Sequence, residues 1–253
     1  MKHETLTLLK LKNERSTSSL LQENERTVDI QVAASELVSD SAGSAGSVGI
    51  SEPSLFYYFS KRVLDIILAL LGLLVLLPVF LAIALCIKLD DRGSILHFRE
   101  IVGQHGKHFF ALKFRTMIPD ADDYLLQHSE LRQQYLQNMK LKYDPRITRI
   151  GRVIRKASLD ELPQLVNVLI GQMSLVGPRI IHPSELPRFG EFASKRLSVK
   201  PGITGLWQIS GRQYISYGER VRLDMSYIKN RSCIGDLIIL LKTVKVLFVH
   251  TGV

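Results

Sequence analysis

The sequence predicts a mostly helical α+β protein with a short β-hairpin, attached to a membrane. An uncharged run of 22 residues at positions 66–87 reaches about 33 Å as a straight helix, close to the thickness of a hydrocarbon core. Two alternating runs flank a glycine-bounded turn at residues 103–106 and predict the hairpin. Residues 120–142 and 217–230 carry helical patterns. The β structure is therefore a small part of the expected fold.

The first 52 residues differ in composition from the rest of the chain. Residues 39–49 read SDSAGSAGSVG, which is typical of a flexible linker, and we expect a disordered tail over residues 1–52. Residues 51–253 carry 28 lysines and arginines against 17 acids, a surplus of 11 positive charges. Such a surplus favours nucleic acid, phosphorylated small molecules or an anionic membrane as partner. Helix-turn-helix and RNP patterns are missing from the sequence, so no nucleic acid is expected.

The apolar segment predicts membrane attachment but leaves two topologies open. Pro78 lies near its middle, where the missing N–H removes a backbone hydrogen bond and kinks the helix. Basic residues flank both ends, so the positive-inside rule gives no orientation: Lys61, Arg62, Lys88 and Arg92. A re-entrant helix that returns to the same face and a kinked single pass both fit these residues.

A second apolar segment, at residues 235–249, is too short to span a bilayer as a straight helix. Lys242 and Lys245 lie three residues apart on one side of it. The segment therefore fits an interfacial amphipathic helix with snorkelling lysines. A helix of the protein core is the alternative.

Two adjacent acids, Asp160 and Glu161, form the candidate catalytic site. Ser158 and Glu161 match a capping box, which would give the pair a structural role at the start of a helix. A helix N-terminus also binds phosphate and keeps a carboxylate ionised. Neighbouring helical side chains point about 100° apart, so one acid could be a nucleophile and the other a metal ligand. The residues alone leave both interpretations open.

Six motifs carry a resemblance to a known family. In chain order they are KRVLD (61–65), LKFRTM (112–117), RKASLDELPQL (155–165), SLVGPR (174–179), KPGITGLWQISGR (200–212) and LDMSYI (223–228). Together they resemble the bacterial sugar transferases, monotopic polyprenyl-phosphate phosphoglycosyl transferases, over about residues 58–253. The similarity is strongest to the short members that initiate exopolysaccharide synthesis, such as undecaprenyl-phosphate galactose phosphotransferases.

The resemblance implies a reaction and roles for the acid pair. Such enzymes move a sugar-1-phosphate from a UDP-sugar to undecaprenyl phosphate and release UMP. Asp160 would be the nucleophile that forms a covalent phosphosugar intermediate, and Glu161, with Asp160, would hold Mg²⁺ against the diphosphate. Five further residues would bind substrate: Lys113, Arg155, Arg179, Arg212 and Asp224. Galactose, glucose and N-acetylated sugars all fit this interpretation.

The resemblance also implies an organisation and a location. Residues 1–52 would be the tail, residues 53–92 a re-entrant membrane segment kinked at Pro78, and residues 93–253 a cytosolic catalytic domain. The protein would lie in the bacterial inner membrane with its active site on the cytoplasmic face. Its partners would be a UDP-sugar, undecaprenyl phosphate and membrane lipids, with homo-oligomerisation as an option.

Two positions depart from the family pattern, and a rival function remains. Leu77 stands where the family has a serine before the membrane proline, and Ile180 replaces the second proline of GPRP. Trp207 of the PGITG loop could stack on a substrate or pack in the core. A non-catalytic membrane adaptor with a basic lipid- or partner-binding domain is the alternative function.

Overall fold

The structure, a computed structural model, describes residues 54–138, 141, 143–211 and 215–249. The predicted tail lies outside these residues. The described chain opens with helix α1 (Leu55–Val75), capped by the Ser54 hydroxyl, and helix α2 (Leu77–Asp91). The break between the two helices falls at Leu76, two residues before Pro78, the residue at which the sequence predicts the kink. Pro78 instead lies in the first turn of α2, where a missing N–H costs little.

Helices α1 and α2 together contain the long apolar segment of the sequence. Among the described residues no single helix is long and apolar enough to cross a membrane. The α1–α2 pair meets that test by length and composition, and its axis bends by 59° at the break. Large apolar side chains are exposed along both helices, among them Phe59, Leu70, Leu74, Leu81 and Leu85.

The predicted β-hairpin is present. Strands β1 (Leu96–Val102) and β2 (His108–Phe114) pair antiparallel, with Leu96 opposite Phe114 and Val102 opposite His108. The predicted helix at 120–142 is two helices, α3 (Ala121–Gln127) and α4 (Ser129–Asn138). They separate at His128, whose extended ψ ends the first helix.

The centre of the chain supplies the elements around the acid pair. A short 3₁₀ turn holds both acids and packs against β2, and the strands of a parallel two-stranded sheet follow later in the chain. In chain order the elements are α5 (Arg149–Lys156), the 3₁₀ turn (Leu159–Glu161), α6 (Gln164–Leu169), β3 (Ser174–Val176) and β4 (Gly202–Thr204). Gly177 and Gly202 let the backbones approach closely, since a Cβ on either would collide with the backbone of the other segment.

The remaining helices complete the domain. They are a kinked 3₁₀ segment (Pro183–Phe192), α7 (Ala193–Arg196), α8 (Leu206–Ile209), α9 (Tyr217–Asn230) and α10 (Cys233–Val249). The predicted helix at 217–230 matches α9 at both ends. Helix α10 buries Ile239 in the main core but exposes Leu237 and Leu241. It is therefore not enclosed as a core helix would be, and its interfacial role stays a prediction.

The KRVLD motif joins α1 to the rest of the domain. Lys61 bonds Asp236 of α10 at 2.7 Å. Arg62 donates to the carbonyls of Val168 and Leu169 at 2.7 Å each, capping the last turn of α6. The mixed helix and small-sheet fold is thus as predicted, with α1 packed into it rather than standing apart.

The first strand of the parallel sheet is also tied to α1. Buried Asp65 accepts hydrogen bonds from the Ser174 hydroxyl at 3.1 Å and the Leu175 N–H at 2.9 Å. A buried carboxylate that lost these partners would be costly. Asp65 therefore fixes the start of β3 against α1.

Candidate active site

The acid pair lies on the 3₁₀ turn between α5 and α6. Ser158 does not cap this turn: its backbone is left-handed, with φ of 56°, and its side chain makes no capping hydrogen bond. The capping-box interpretation is therefore wrong, because that motif needs an extended cap residue. Glu161 is bound by two basic side chains instead of its own backbone.

Glu161 is held between two cations. Lys113, on β2, donates to its Oε1 at 2.7 Å, and Arg179 donates to the same oxygen at 2.7 Å and to Oε2 at 3.3 Å. Burial pushes the pKa of Glu161 upward, but the attraction of Arg179 and Lys113 outweighs burial and lowers it to about 2. Glu161 is therefore a fixed anion at neutral pH.

Asp160 differs from its neighbour because no side chain of the described residues holds its carboxylate by a hydrogen bond. Its nearest cation is the Lys113 ammonium at 3.8 Å, and among the described residues it makes no hydrogen bond. Its side chain is 16% exposed. Burial raises the pKa of Asp160, Lys113 lowers it, and the charge of Glu161 raises it further. An anion that is partly desolvated and not hydrogen-bonded is better placed to attack than one that is tied down.

Arg155 approaches the pair from α5. Its Nε donates to the Thr116 hydroxyl at 2.7 Å, and its charge acts to lower the pKa of Asp160. Arg115, which precedes Thr116 in LKFRTM, has a different role. It forms a two-pronged ion pair with Asp91 at the end of α2. The LKFRTM motif thus contains one residue of the site, Lys113, and one residue that binds the end of α2, Arg115.

Arg179 is oriented by groups behind it. The buried guanidinium of Arg196 donates to the Arg179 carbonyl oxygen. The Arg179 guanidinium lies 5.9 Å from the centre of the Trp207 ring, and that of Arg220 lies 4.8 Å from it. Trp207 is only 9% exposed and packs with Leu223, which agrees with core packing.

Asp224 lies behind the site rather than in it. It is 4% exposed and faces Arg196, with 3.8 Å between Nε and Oδ2. Burial raises its pKa to about 7, and Arg196 opposes that rise only in part. A direct substrate role for Asp224 stays a prediction. Arg212 lies outside the described residues, so its role also stays a prediction.

The structure brings together four of the seven candidate residues from separate segments: Lys113, Asp160, Glu161 and Arg179. Arg155 adjoins them through its charge on Asp160. Sequence reasoning missed Arg196, whose side chain is 1% exposed. No local pattern could have identified it, because arginine is almost never fully buried and its partners lie far away in the chain.

The acid pair fits a Mg²⁺ ion only in company with substrate. Among the described residues no three or more His, Cys, Asp or Glu side chains group as metal ligands. Mg²⁺ commonly uses one or two carboxylates and takes the rest of its shell from water and substrate phosphates. Asp160 has free lone pairs, and Glu161 Oε2 accepts only one long bond, at 3.3 Å. The donor set is compatible with a shared ion.

The fold and site define a mixed helix-and-sheet protein with an acid pair surrounded by cations. Comparison with known proteins identifies the family of the chain. Residues 56–250 match the bacterial sugar transferases, and the chain belongs to that family.

Characterised and named relatives differ in length. The chain is 41% identical over 197 residues to the exopolysaccharide production protein ExoY of Sinorhizobium fredii, covering 76% of this chain and 87% of that one. It is 45% identical to an undecaprenyl-phosphate galactose phosphotransferase of Salmonella typhimurium, covering 77% of this chain and 41% of that one. It is 43% identical to a UDP-galactose-lipid carrier transferase of Erwinia amylovora, with the same two coverages. The chain thus spans less than half of the two galactose-related proteins.

Proposed function

We propose that the protein transfers a sugar-1-phosphate from a UDP-sugar to undecaprenyl phosphate, giving undecaprenyl-diphosphate-sugar and UMP. This would be the first membrane step in assembling an exopolysaccharide or related glycan. The family assignment and the names of the relatives support the general reaction. The difference between the two acids carries the mechanistic part of the proposal.

The two acids divide the work because their surroundings differ. Glu161 is locked by Lys113 and Arg179, so it can hold charge in place but is poorly placed to form a bond to phosphorus. Asp160 has an oxygen free to do so. An aspartate needs no base to become a nucleophile when it is ionised.

The chemistry proceeds in two displacements. An oxygen of Asp160 attacks the phosphorus bonded to the sugar. The bond from that phosphorus to the bridging oxygen breaks, and UMP leaves with the oxygen and its electron pair. An oxygen of undecaprenyl phosphate then attacks the same phosphorus, and the bond to Asp160 breaks, which restores the carboxylate.

The surrounding cations stabilise the charge that develops in both displacements. Lys113 lies 2.7 Å from Glu161 and 3.8 Å from Asp160, so it faces the reacting phosphate from β2. Arg179 and Arg155 approach from other sides. Phosphoryl transfer depends mainly on such positioning and charge neutralisation. Arg212 is proposed to join this set.

Mg²⁺ is proposed as a cofactor held by Asp160 and Glu161 together with the substrate diphosphate. When bound it would neutralise the charge of the diphosphate. The residues Lys113 and Arg179 would keep Glu161 oriented toward it. Removal of Mg²⁺ with a chelator is then expected to abolish UMP release.

The bent α1–α2 pair is proposed to enter the membrane and return to its cytoplasmic face. Its exposed leucines and phenylalanines support contact with lipid. With a 59° bend, the chain returns to the same face when both helices lie at a shallow angle to the membrane plane, and the proposal includes that tilt. Arg115, which forms an ion pair with Asp91 at the end of α2, would hold the second helix against the catalytic domain.

UMP release tests the proposal. The purified full chain in nanodiscs would receive Mg²⁺, undecaprenyl phosphate and, in turn, UDP-galactose, UDP-glucose, UDP-N-acetylglucosamine and UDP-N-acetylgalactosamine. We expect one donor to give UMP, with UDP-galactose tried first because of the relatives' names. Asp160→Asn should lower the rate at least ~10³-fold, since it removes the nucleophile. The matched control, Asp123→Asn on the exposed face of α3, should keep the wild-type rate.

Omitting undecaprenyl phosphate tests the covalent step. The wild type should then gain the mass of one sugar phosphate, and Asp160→Asn should gain none. UMP release that persists in Asp160→Asn would refute the nucleophile assignment. Failure of all four donors, with membrane binding intact, would leave two options: a UDP-sugar outside this set, or the adaptor function.

A further inference from the structure

A pocket with several basic side chains in its lining lies apart from the acid pair. It has a volume of about 90 Å³ and is enclosed by the first turns of α1, the start of β3, the segment before β4 and the end of α9. None of the catalytic candidates lines it. Its polar lining includes Tyr58, Lys61, Arg62, Asp65, Lys200 and Arg231.

Three of the four cations in this pocket already have partners. Arg62 caps α6, and Lys61 pairs with Asp236. Arg231 donates to the Tyr58 hydroxyl oxygen at 2.8 Å and to the carbonyl of Ile228. These contacts hold the cations at the pocket wall without neutralising all of them.

Lys200 is the exception. Among the described residues it has neither a hydrogen bond nor an ion pair, although its side chain is half-buried. Burial lowers its pKa, Arg62 and Lys61 lower it further, and Asp65 raises it. A half-buried ammonium beside other cations is unfavourable on its own and is relieved by an added anion.

Gly171 lies beside two of these cations. A Cβ on this residue would lie 3.4 Å from a nitrogen of Arg62 and 3.7 Å from the Lys200 ammonium. Its φ of +86° also disfavours any larger residue. The Arg62 guanidinium and the Lys200 ammonium therefore both lie close to one point beside Gly171.

We propose that this pocket binds a phosphate group, with Lys200 as its principal ligand. At about 30 Å³ per water its volume corresponds to roughly three waters, a space comparable in size to one phosphate group. Lys200 offers three donors, and Tyr58 still has its O–H to donate. Four cations against one lining carboxylate leave the pocket positive even when Asp236 is counted.

The phosphate has two sources with the same chemistry. Tyr58, which lines the pocket, is exposed together with its neighbours Phe56 and Phe59 on α1, so a phospholipid headgroup could enter it from a membrane. Soluble phosphate could enter it from water. The inference does not depend on the transferase activity, and the experiment separates the two sources.

The test compares ligand binding by the full chain and four lysine variants in detergent at constant ionic strength. Thermal unfolding would be followed with inorganic phosphate in one arm and with dihexanoyl-phosphatidylglycerol, below its micelle concentration, in the other. We expect at least one ligand to stabilise the wild type, with a dissociation constant raised at least tenfold in Lys200→Gln. Lys200→Arg should restore binding, and Lys195→Gln, an exposed lysine of α7, should bind like the wild type.

Each outcome decides the proposal. A response to the lipid alone assigns a headgroup site, a response to inorganic phosphate, with or without one to the lipid, assigns a general phosphate site, and no response to either ligand overturns the proposal. Equal binding by wild type and Lys200→Gln, or equal loss in Lys195→Gln, overturns the proposal. Loss of binding in Lys113→Gln would also overturn it, because the phosphate would then be held by the cation of the catalytic site. No arm uses a UDP-sugar, so failure here is distinct from failure of the proposed reaction.

Discussion

Replacing Glu161 by glutamine tests whether its ion pairs stabilise the fold. The folded pKa of about 2 lies below the ordinary value of 4.5. A difference of about 2.5 in pKa corresponds to roughly 3 kcal/mol of stability at neutral pH. Because Arg179 is about a third exposed and its charge is partly screened, we expect a loss of about 2–3 kcal/mol in Glu161→Gln.

The sign of the pH dependence follows from the depressed pKa. The stabilisation by Glu161 is fully present above pH 4.5 and is lost as the pH falls toward 2. It should therefore be roughly 3 kcal/mol at pH 7 and about 1.4 kcal/mol at pH 3. The variant lacks this charge, so the difference between the two proteins should shrink as the solution is acidified.

Thermal unfolding in detergent measures this difference. For a domain of this size, 2–3 kcal/mol lowers Tm by about 4–12 °C. The matched control is Glu219→Gln, which breaks the more exposed pair with Arg222 at 2.7 Å and should cost less than about 1 kcal/mol. Equal Tm losses in both variants, or a Glu161→Gln loss that does not change with pH, would refute the reasoning.

Two further predictions concern the support of the site. Asp224, whose pKa burial raises to about 7, binds a proton in the folded state over a range where the unfolded chain has lost it, so Tm should fall as the pH rises from about 4 to 7. Asp224→Asn should flatten that slope, monitored by the fluorescence of the chain's single tryptophan; an unchanged slope would contradict the assignment. Gly151→Ala should cost about 1–3 kcal/mol because its Cβ collides with the Thr116 carbonyl. The control Gly218→Ala on α9, with open space around it, should be neutral or slightly stabilising in urea unfolding; equal losses would show that the collision is relieved.

Periodic patterns predicted the elements whose stability is local. Helix α9 and the β1–β2 hairpin agree with the sequence because an amphipathic pattern, a Ser216 cap and a glycine-bounded turn all lie within them. The predicted helix at 120–142 was too long, since nothing in the pattern marks the break at His128. The break between helices α1 and α2 at Leu76 lies two residues before Pro78, close to the kink that this proline predicts.

The candidate site was predictable in its residues but not in its geometry. Motif resemblance selected Lys113, Glu161 and Arg179, yet 66 residues separate the first from the last, and only the fold shows that both reach one carboxylate. The capping box failed for the same reason. Its local hydrogen bond competes with two charge-assisted bonds from distant cations, which are stronger. Arg196 gave no signal because its partners are a distant carbonyl and a distant acid.

Helix α1 fixes both halves of the candidate site through two polar side chains. Arg62 caps α6, and α6 follows the acid turn after only Leu162 and Pro163. Asp65 anchors the start of β3, three residues before Gly177 and five before Arg179. Asp160, the proposed nucleophile, and Arg179, the cation proposed to meet it at the phosphate, are thus each positioned from the same helix. Since α1 is also the helix proposed to enter the membrane, its depth there would set the height of the acid pair above the lipid, where the polyprenyl phosphate of the proposed reaction would arrive.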